Sequence, residues 1–556
     1  MLNKFVQAVR ARLITIAIFT VVVVGTVALI MHGNAQRVET TRLLSTTDAS
    51  KLDSVVLKLS KQDRLQEALV DTEDPNTDAN SPQNVKSLAI RTAAADSVNR
   101  LLTEHTMPDG DAMRTLYELY KDPDAGVKGK ASDGLAILGN KAASLLNEIV
   151  ERLKDGDPDV RSASVDAIGK IGGDKTAKLV NNMLSDAAAR DSAEAALIKV
   201  GKPAIPYISL HTNEPDLLYR EKIISMFGDI GDASGTPIVI DAANSNQPAI
   251  RRVALVALSN IVKAVHDASV AAKTAAAAPH VPGAAPVAPV VGPTNAQIAQ
   301  AYTGLPVLIS ALNNKSDDAD ARAQAAVVIG LAAGNAGIAP LVNALTDYDN
   351  HIQQAALAGL ISAGQPAVGP LISLSQSKTS PAASVVLAAE ALGAIATPSS
   401  LSEVRSILGS KSTTSDVQSS AVAGLTLASN PDAAAVLLSA LSNADGDVAN
   451  AAADGLLNPA FEQRSISPLV SLLSGAGNAP FYASQVLAKM GDLAVPQLTA
   501  ALTSKNPQQQ SWAAVTLGET DTKNSTAISI LNTLTKSTNK NVQYAATSAV
   551  EQLTDG

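Results

Sequence analysis

Six histidines are the chain's whole complement of imidazole: His32, His105, His211, His266, His280 and His351. They are scattered. None forms a His-Glu pair and no two stand at i, i+4 on a helix, so the spacing that lets two imidazoles share a metal is missing. Cysteine is absent. That excludes disulfides, thiolate zinc sites, iron–sulfur clusters, a catalytic thiol, thioether-attached haem and a lipidated N-terminal cysteine, while leaving the compartment open on redox grounds. The acids that could do acid–base or cation chemistry are Asp157 and Asp159 beside Arg161, Asp122 and Asp124 beside Lys128, Asp317-Asp318, and Asp347 with Asp349. All fall where helices are expected to begin. A carboxylate there caps free N–H groups and meets the positive end of the helix dipole. A calcium loop would instead alternate its ligands through a Gly-bearing loop. No phosphate-binding lysine loop, dinucleotide glycine fingerprint or nucleophile elbow occurs in a strand–turn–helix setting. Tyr117, Tyr120, Trp512 and Tyr544 read as core or groove fillers. No catalytic residue, cofactor-binding residue, metal ligand or small-molecule substrate is assigned.

The elements that hold these residues follow from composition and period. The 556 residues carry a formal charge of −9, 46% hydrophobic and only 3% aromatic side chains. At about 100–200 residues per domain this is three to five domains or one long repeat array. The apolar content is mostly Ala, Leu, Val and Ile, which suits many small, closely spaced helices. The mild negative charge argues against broad contact with nucleic-acid phosphates.

Residues 13–31, LITIAIFTVVVVGTVALIM, contain no charge. At ~1.5 Å per residue they reach about 28 Å, near the ~30 Å hydrocarbon thickness of a bilayer. Lys4, Arg10 and Arg12 precede them without an acid, so residues 1–12 are expected to form a basic cytoplasmic tail, with everything after Met31 exported. The expected location is the inner membrane, single-pass. The alternative is secretion after cleavage near Ala35, where Gly33-Asn34-Ala35 offers small residues to a signal peptidase.

Residues 144–172 show what the remainder repeats. Leu145, Leu146, Ile149, Val150 and Leu153 form one helical stripe; Asp157 and Pro158 open a second helix whose face is Val160, Ala163, Ala167, Ile168 and Ile171, and Gly172-Gly173 end it. The phrase returns from Asp122, Asp318, Asp349, Ser415, Gly446 and Asn541, with 33 residues from Val127 to Val160 and 31 from Val417 to Val448. About twelve to fourteen helical hairpins result. One hairpin cannot bury its apolar face alone, so neighbours must stack.

The stretch DPDVRSASVDAIGKIG from Asp157, with its Asp, Val-Arg, small residues and closing Ile-Gly, resembles a HEAT repeat. Together with the Gly-x-x-Ala-Val-Pro-x-Leu phrase at Gly491 it is similar to the bacterial phycobilisome-lyase-type repeats, over roughly residues 84–556. Gln353, Gln418 and Gln543 stand where the family prefers Arg. The resemblance implies an all-α, right-handed α-solenoid, preceded here by one transmembrane helix. It also implies two activities to weigh. The His-Glu dipeptides that carry metal in HEAT-like di-iron hydroxylases are absent. A chromophore- or cofactor-lyase accessory role remains the alternative function.

The expected division is a helical stalk and cap with an acidic loop over 32–83, repeats over 84–262, an Ala/Pro-rich insert over 263–300 and repeats over 301–556. The insert, with Pro279, Pro282, Pro286, Pro289 and Pro293, is expected to be extended from about residue 268. Two solenoids joined by a hinge and one solenoid interrupted by a loop both fit. Solenoids of this kind present their second helices as a binding face. The exposed candidates there are Arg161, Arg220, Arg251, Arg252, Arg322, Gln353, Gln354, Gln418 and Gln543. The expected function is a membrane-anchored scaffold or adaptor that binds other proteins, without cofactor or nucleic acid.

Overall fold

The computed structural model describes residues 46, 48–61, 82–120, 122, 124–277, 290–520, 522 and 524–555. The expected transmembrane segment 13–31, most of the stalk and its acidic loop, and the proline-rich 278–289 lie outside the described residues. Those described are α-helical or 3₁₀-helical, joined by short turns, with no strand among them. They form two compact units, divided between Asp232 and Ala233.

The first unit opens with the helices Ala49–Lys61 and Pro82–Thr103, followed by four hairpins. Their second helices are Ala125–Leu138, Pro158–Ile171, Arg190–Val200 and Leu217–Ile230. The second unit holds nine hairpins, from Thr236–Ala243 with Pro248–Ala277 to Ser525–Leu534 with Lys540–Asp555. The total lies within the expected range. Within each unit second helices pack on second helices and first on first.

Many of the second helices start by the same chemistry. Asp124, Asp157, Asp318, Asp349 and Asp445 are extended N-caps whose carboxylates accept from N–H groups two or three residues on. A preceding Asp or Asn often adds a second such bond: Asp122, Asp155, Asp347 and Asn443 each accept from the N–H of the residue two along. Acids at these starts therefore satisfy backbone donors that nothing else would reach. Glycines end the helices, as at Gly172 (φ 56°) and Gly364 (φ 66°), which take up backbone that a side chain would strain.

Small residues set the spacing. A Cβ on Gly330 would lie 2.3 Å from the Cα of Gly359, and one on Gly393 would lie 2.2 Å from the carbonyl oxygen of Ala421. Adjacent second helices thus touch backbone to backbone. Ala167, Ala196, Ala326 and Ala388 are fully buried along the same ladders.

The Ala-rich stretch after Val262 departs from expectation. The helix continues unbroken from Pro248 to Ala277, because Ala is the best helix former and no proline intervenes before Pro279. Another helix, Asn295–Tyr302, begins inside the expected insert and runs past its end, opened by a capping box between Thr294 and Gln297. Gly292 lies against Ala272, where its missing Cβ would otherwise stand 2.4 Å from that methyl. Pro248–Ala277 is long and apolar enough to cross a membrane, yet half of its most apolar window is buried within the protein.

Candidate interaction surfaces

Seven of the nine residues expected to face a partner occupy one repeated position, four after the start of the second helix, and Arg252 and Gln354 stand one residue further on. Most turn inward. Arg161 donates to the carbonyls of Asp155 (2.6 Å) and Gly156 (3.1 Å). Arg220 donates to Thr212 (3.2 Å) and Gln353 to Asp347 (2.7 Å). Arg190 and Gln510, absent from the expected set, do the same to Leu184 and Leu502. These side chains staple the end of a first helix to the start of its second, using carbonyls left over at a helix terminus.

Two expected contacts are corrected outright. Arg322 is 2% exposed and Gln418 9%, so neither is a surface donor. Arg322 donates twice to the Leu312 carbonyl (3.1 and 3.0 Å) and once to the Asp347 carboxylate of the next hairpin (2.5 Å). Gln418 bonds the carbonyls of Ile407 and Ser410 and accepts from Asn443 of the next hairpin (3.1 Å). Asp347 and Asn443 are thus each both turn builder and clasp. Burial by itself raises the Asp347 carboxyl; the Arg322 hydrogen bond, the Asp349 N–H and the attraction of Arg322 and Lys315 outweigh it and hold the group below its ordinary value. Arg251–Asp317 (2.9 Å) is a further clasp between hairpins, and Arg91–Asp122 (2.8 Å) ties the helix Pro82–Thr103 to the first hairpin. Gln543 is half-buried and accepts from Lys540. Arg252 and Gln354 are the exposed members of the expected set.

The exposed face of the second helices differs between the units. In the first it carries ion pairs from helix to helix: Lys130–Asp96 (2.6 Å), Lys199–Asp166, and Lys222 with both Asp191 and Glu194 (2.8 Å each). The hydrogen bonds of Asp191 and Glu194 push the Lys222 ammonium up. Between these pairs lies a groove of about 690 Å³, lined by Asp133, Ile137, Asp166, Lys170 and Lys199 among others. Ile137 is 47% exposed there. In the second unit one such pair, Lys489–Asp454 (3.3 Å), joins the described second helices, and Glu390 is half-buried with its carboxyl pushed up by desolvation.

Two more grooves, about 550 and 370 Å³, flank the turn 410–414 at the edge where first helices meet second helices. Hydroxyls dominate their lining, including Ser377, Ser410, Thr413 and Ser442, with Lys378, Arg405 and Lys411. The sequence reading missed this edge.

The scattered histidines stay scattered. His211 pairs with Glu214 (2.9 Å), and His266 with the Tyr302 hydroxyl (2.9 Å). Among the described residues no three His, Asp or Glu side chains converge as metal ligands. Tyr120 is buried, hydrogen-bonded to Ser164, and desolvation pushes its hydroxyl up to about 12. Tyr544, expected to fill a core or groove, is 80% exposed.

A family model described as HEAT repeats matches residues 113–198, a stretch that spans three of the first unit's hairpins. No curated protein matches the chain. Among solved structures, importin beta crystallised in a polyethylene glycol condition is 14% identical, covering 93% of this chain and 71% of its own, with a TM-score of 0.36. Kap95p bound to RanGDP is 13% identical over 93% of this chain and 72% of its own, TM-score 0.41. Human deoxyhypusine hydroxylase is 18% identical over 46% of this chain and 97% of its own, TM-score 0.22.

Proposed function

We propose that the protein is a non-enzymatic, membrane-anchored scaffold whose repeat units bind other proteins outside the cytoplasm, as an assembly factor or a subunit of a membrane complex. One observation carries the reading. The repeated polar side chains are consumed in staples and clasps inside the stack, while open grooves run across several hairpins. Such a surface suits an extended protein partner. The HEAT match at 113–198 is compatible with it. The anchor and the export rest on sequence: an uncharged 13–31 behind a basic, acid-free tail.

The test is purification of the full chain from detergent extracts, with mass spectrometry of what accompanies it. Specific proteins retained in fixed ratio through salt washes are expected. A chain that emerges alone at every detergent strength and salt concentration refutes the reading. Protease added to intact spheroplasts should digest the repeats; protection of residues beyond Met31 would refute the topology.

A further inference from the structure

The two units differ in charge along the edge where each first helix turns into its second. In the first unit this edge is acidic, with Asp122, Asp124, Asp155, Asp157, Asp186 and Asp216. Beside it, Arg152 and Lys154 are paired with Asp155 and Glu151. In the second unit the turns keep acids, among them Asp317, Asp318, Asp347, Asp349 and Asp445, but lysines recur beside them: Asn314-Lys315, Ser377-Lys378, Ser410-Lys411, Ser504-Lys505 and Thr535-Lys536. Each of these lysines is exposed, and Lys378 to Lys411 is one repeat of 33 residues.

Lys378 and Lys411 occupy adjacent turns, and together with Arg405 they border the two hydroxyl-rich grooves. None of the three makes an ion pair or hydrogen bond among the described residues. The two acids in the same lining accept hydrogen bonds from neutral donors and keep their charge. Glu403 accepts from Gln376 (3.0 Å), and Asp445 caps the helix Gly446–Gly455. Three cations thus face two carboxylates here, beside several hydroxyls, on a chain whose net charge is −9.

We propose that this edge of the second unit binds an extended acidic segment of a partner protein, with one carboxylate opposite Lys378 and the next opposite Lys411. The inference rests on the scaffold reading and names the chemistry of its partner. Stacked helices lie about 8–10 Å apart, and an extended chain advances ~3.3–3.6 Å per residue. One repeat therefore matches three peptide residues, and the favoured ligand carries Asp or Glu at every third position. The groove hydroxyls of Thr413 and Ser442 are placed to meet the peptide backbone between them.

The test uses the detergent-solubilised full chain and fluorescent peptides of equal charge, one with acids at every third residue and one with the acids in a block. Fluorescence anisotropy should show the spaced peptide binding, weakening with salt. It should weaken roughly tenfold or more in Lys378→Glu/Lys411→Glu, because two exposed attractions become repulsions. Both lysines are exposed, and unchanged circular dichroism melting verifies that the variant is folded. The proposal is overturned if neither peptide binds while partner proteins still co-purify, an outcome that leaves the scaffold reading standing. Equal binding of both peptides overturns the register. Binding of heparin without either peptide assigns the edge to an anionic polysaccharide and overturns the protein ligand.

Discussion

Replacing Arg322 by Met tests the clasp that joins hairpins in the second unit. The side chain is 2% exposed and its partner carboxylate, on Asp347, 3%. Met retains much of the stem's volume but removes the charge and every donor. Three hydrogen bonds vanish, two to the Leu312 carbonyl and one to Asp347. Loss of packing and neutral bonds alone would cost about 1–2 kcal/mol. The larger effect is the carboxylate left buried without its counter-charge, for which removal of one partner of a buried pair typically costs about 3–5 kcal/mol. The larger figure should win, because the Asp349 N–H and the more distant Lys315 are what remain to stabilise Asp347. Urea unfolding followed by circular dichroism measures the loss. The double variant Arg322→Met/Asp347→Leu should recover much of it, since both buried charges are then gone. A single-variant loss below about 1 kcal/mol, or a double variant as unstable as the sum of its parts, refutes the buried-clasp reasoning.

Gly330→Ala places a methyl 2.3 Å from the Cα of Gly359 and should destabilise by roughly 1–3 kcal/mol, whereas Gly369→Ala, with open space around its Cβ, should be neutral or stabilising in the same unfolding assay. Ala167→Phe, at a fully buried position on the second-helix face, should cost roughly 1–3 kcal/mol; unchanged melting would show that the face is not inward. Acid titration of stability should reveal the Asp347 clasp. Its folded-state pKa is depressed below 3.8, so its contribution is present above the unfolded value and disappears as pH falls through the folded value. Arg322→Met should remove that part of the acid dependence. Ultraviolet titration should find a late-ionising tyrosine near pH 12, absent in Tyr120→Phe.

The fold was legible where chemistry forces one residue type. Asp157-Pro158 could only open a helix economically, and the 31–33-residue return of that phrase located the hairpins. The length of the helix after Val262 was misjudged because five prolines drew the boundary too early, although Ala-rich 263–277 has every local reason to stay helical. The candidate site was less legible. A polar residue four after an N-cap is equally compatible with facing solvent or curling back to a carbonyl, and only the packed neighbour decides. A signal existed: positions 161, 190, 220, 251, 322, 353, 418, 510 and 543 hold Arg or Gln and never an acid. A side chain chosen for several N–H donors, whatever its charge, is one that reads carbonyls. The basic edge escaped because its lysines are single residues in unrelated turns until the repeat aligns them.

Photo-cross-linking in intact cells tests partner binding most directly. A photoreactive amino acid is placed at Ile137, 47% exposed in the first unit's groove, or at Lys411 on the second unit's edge, with buried Ala167 as control. The expected result is a discrete adduct of another protein from the groove or edge position and none from the control. Irradiation that leaves both exposed positions uncoupled, with the chain full-length and in the membrane fraction, would contradict a scaffold that works by holding other proteins.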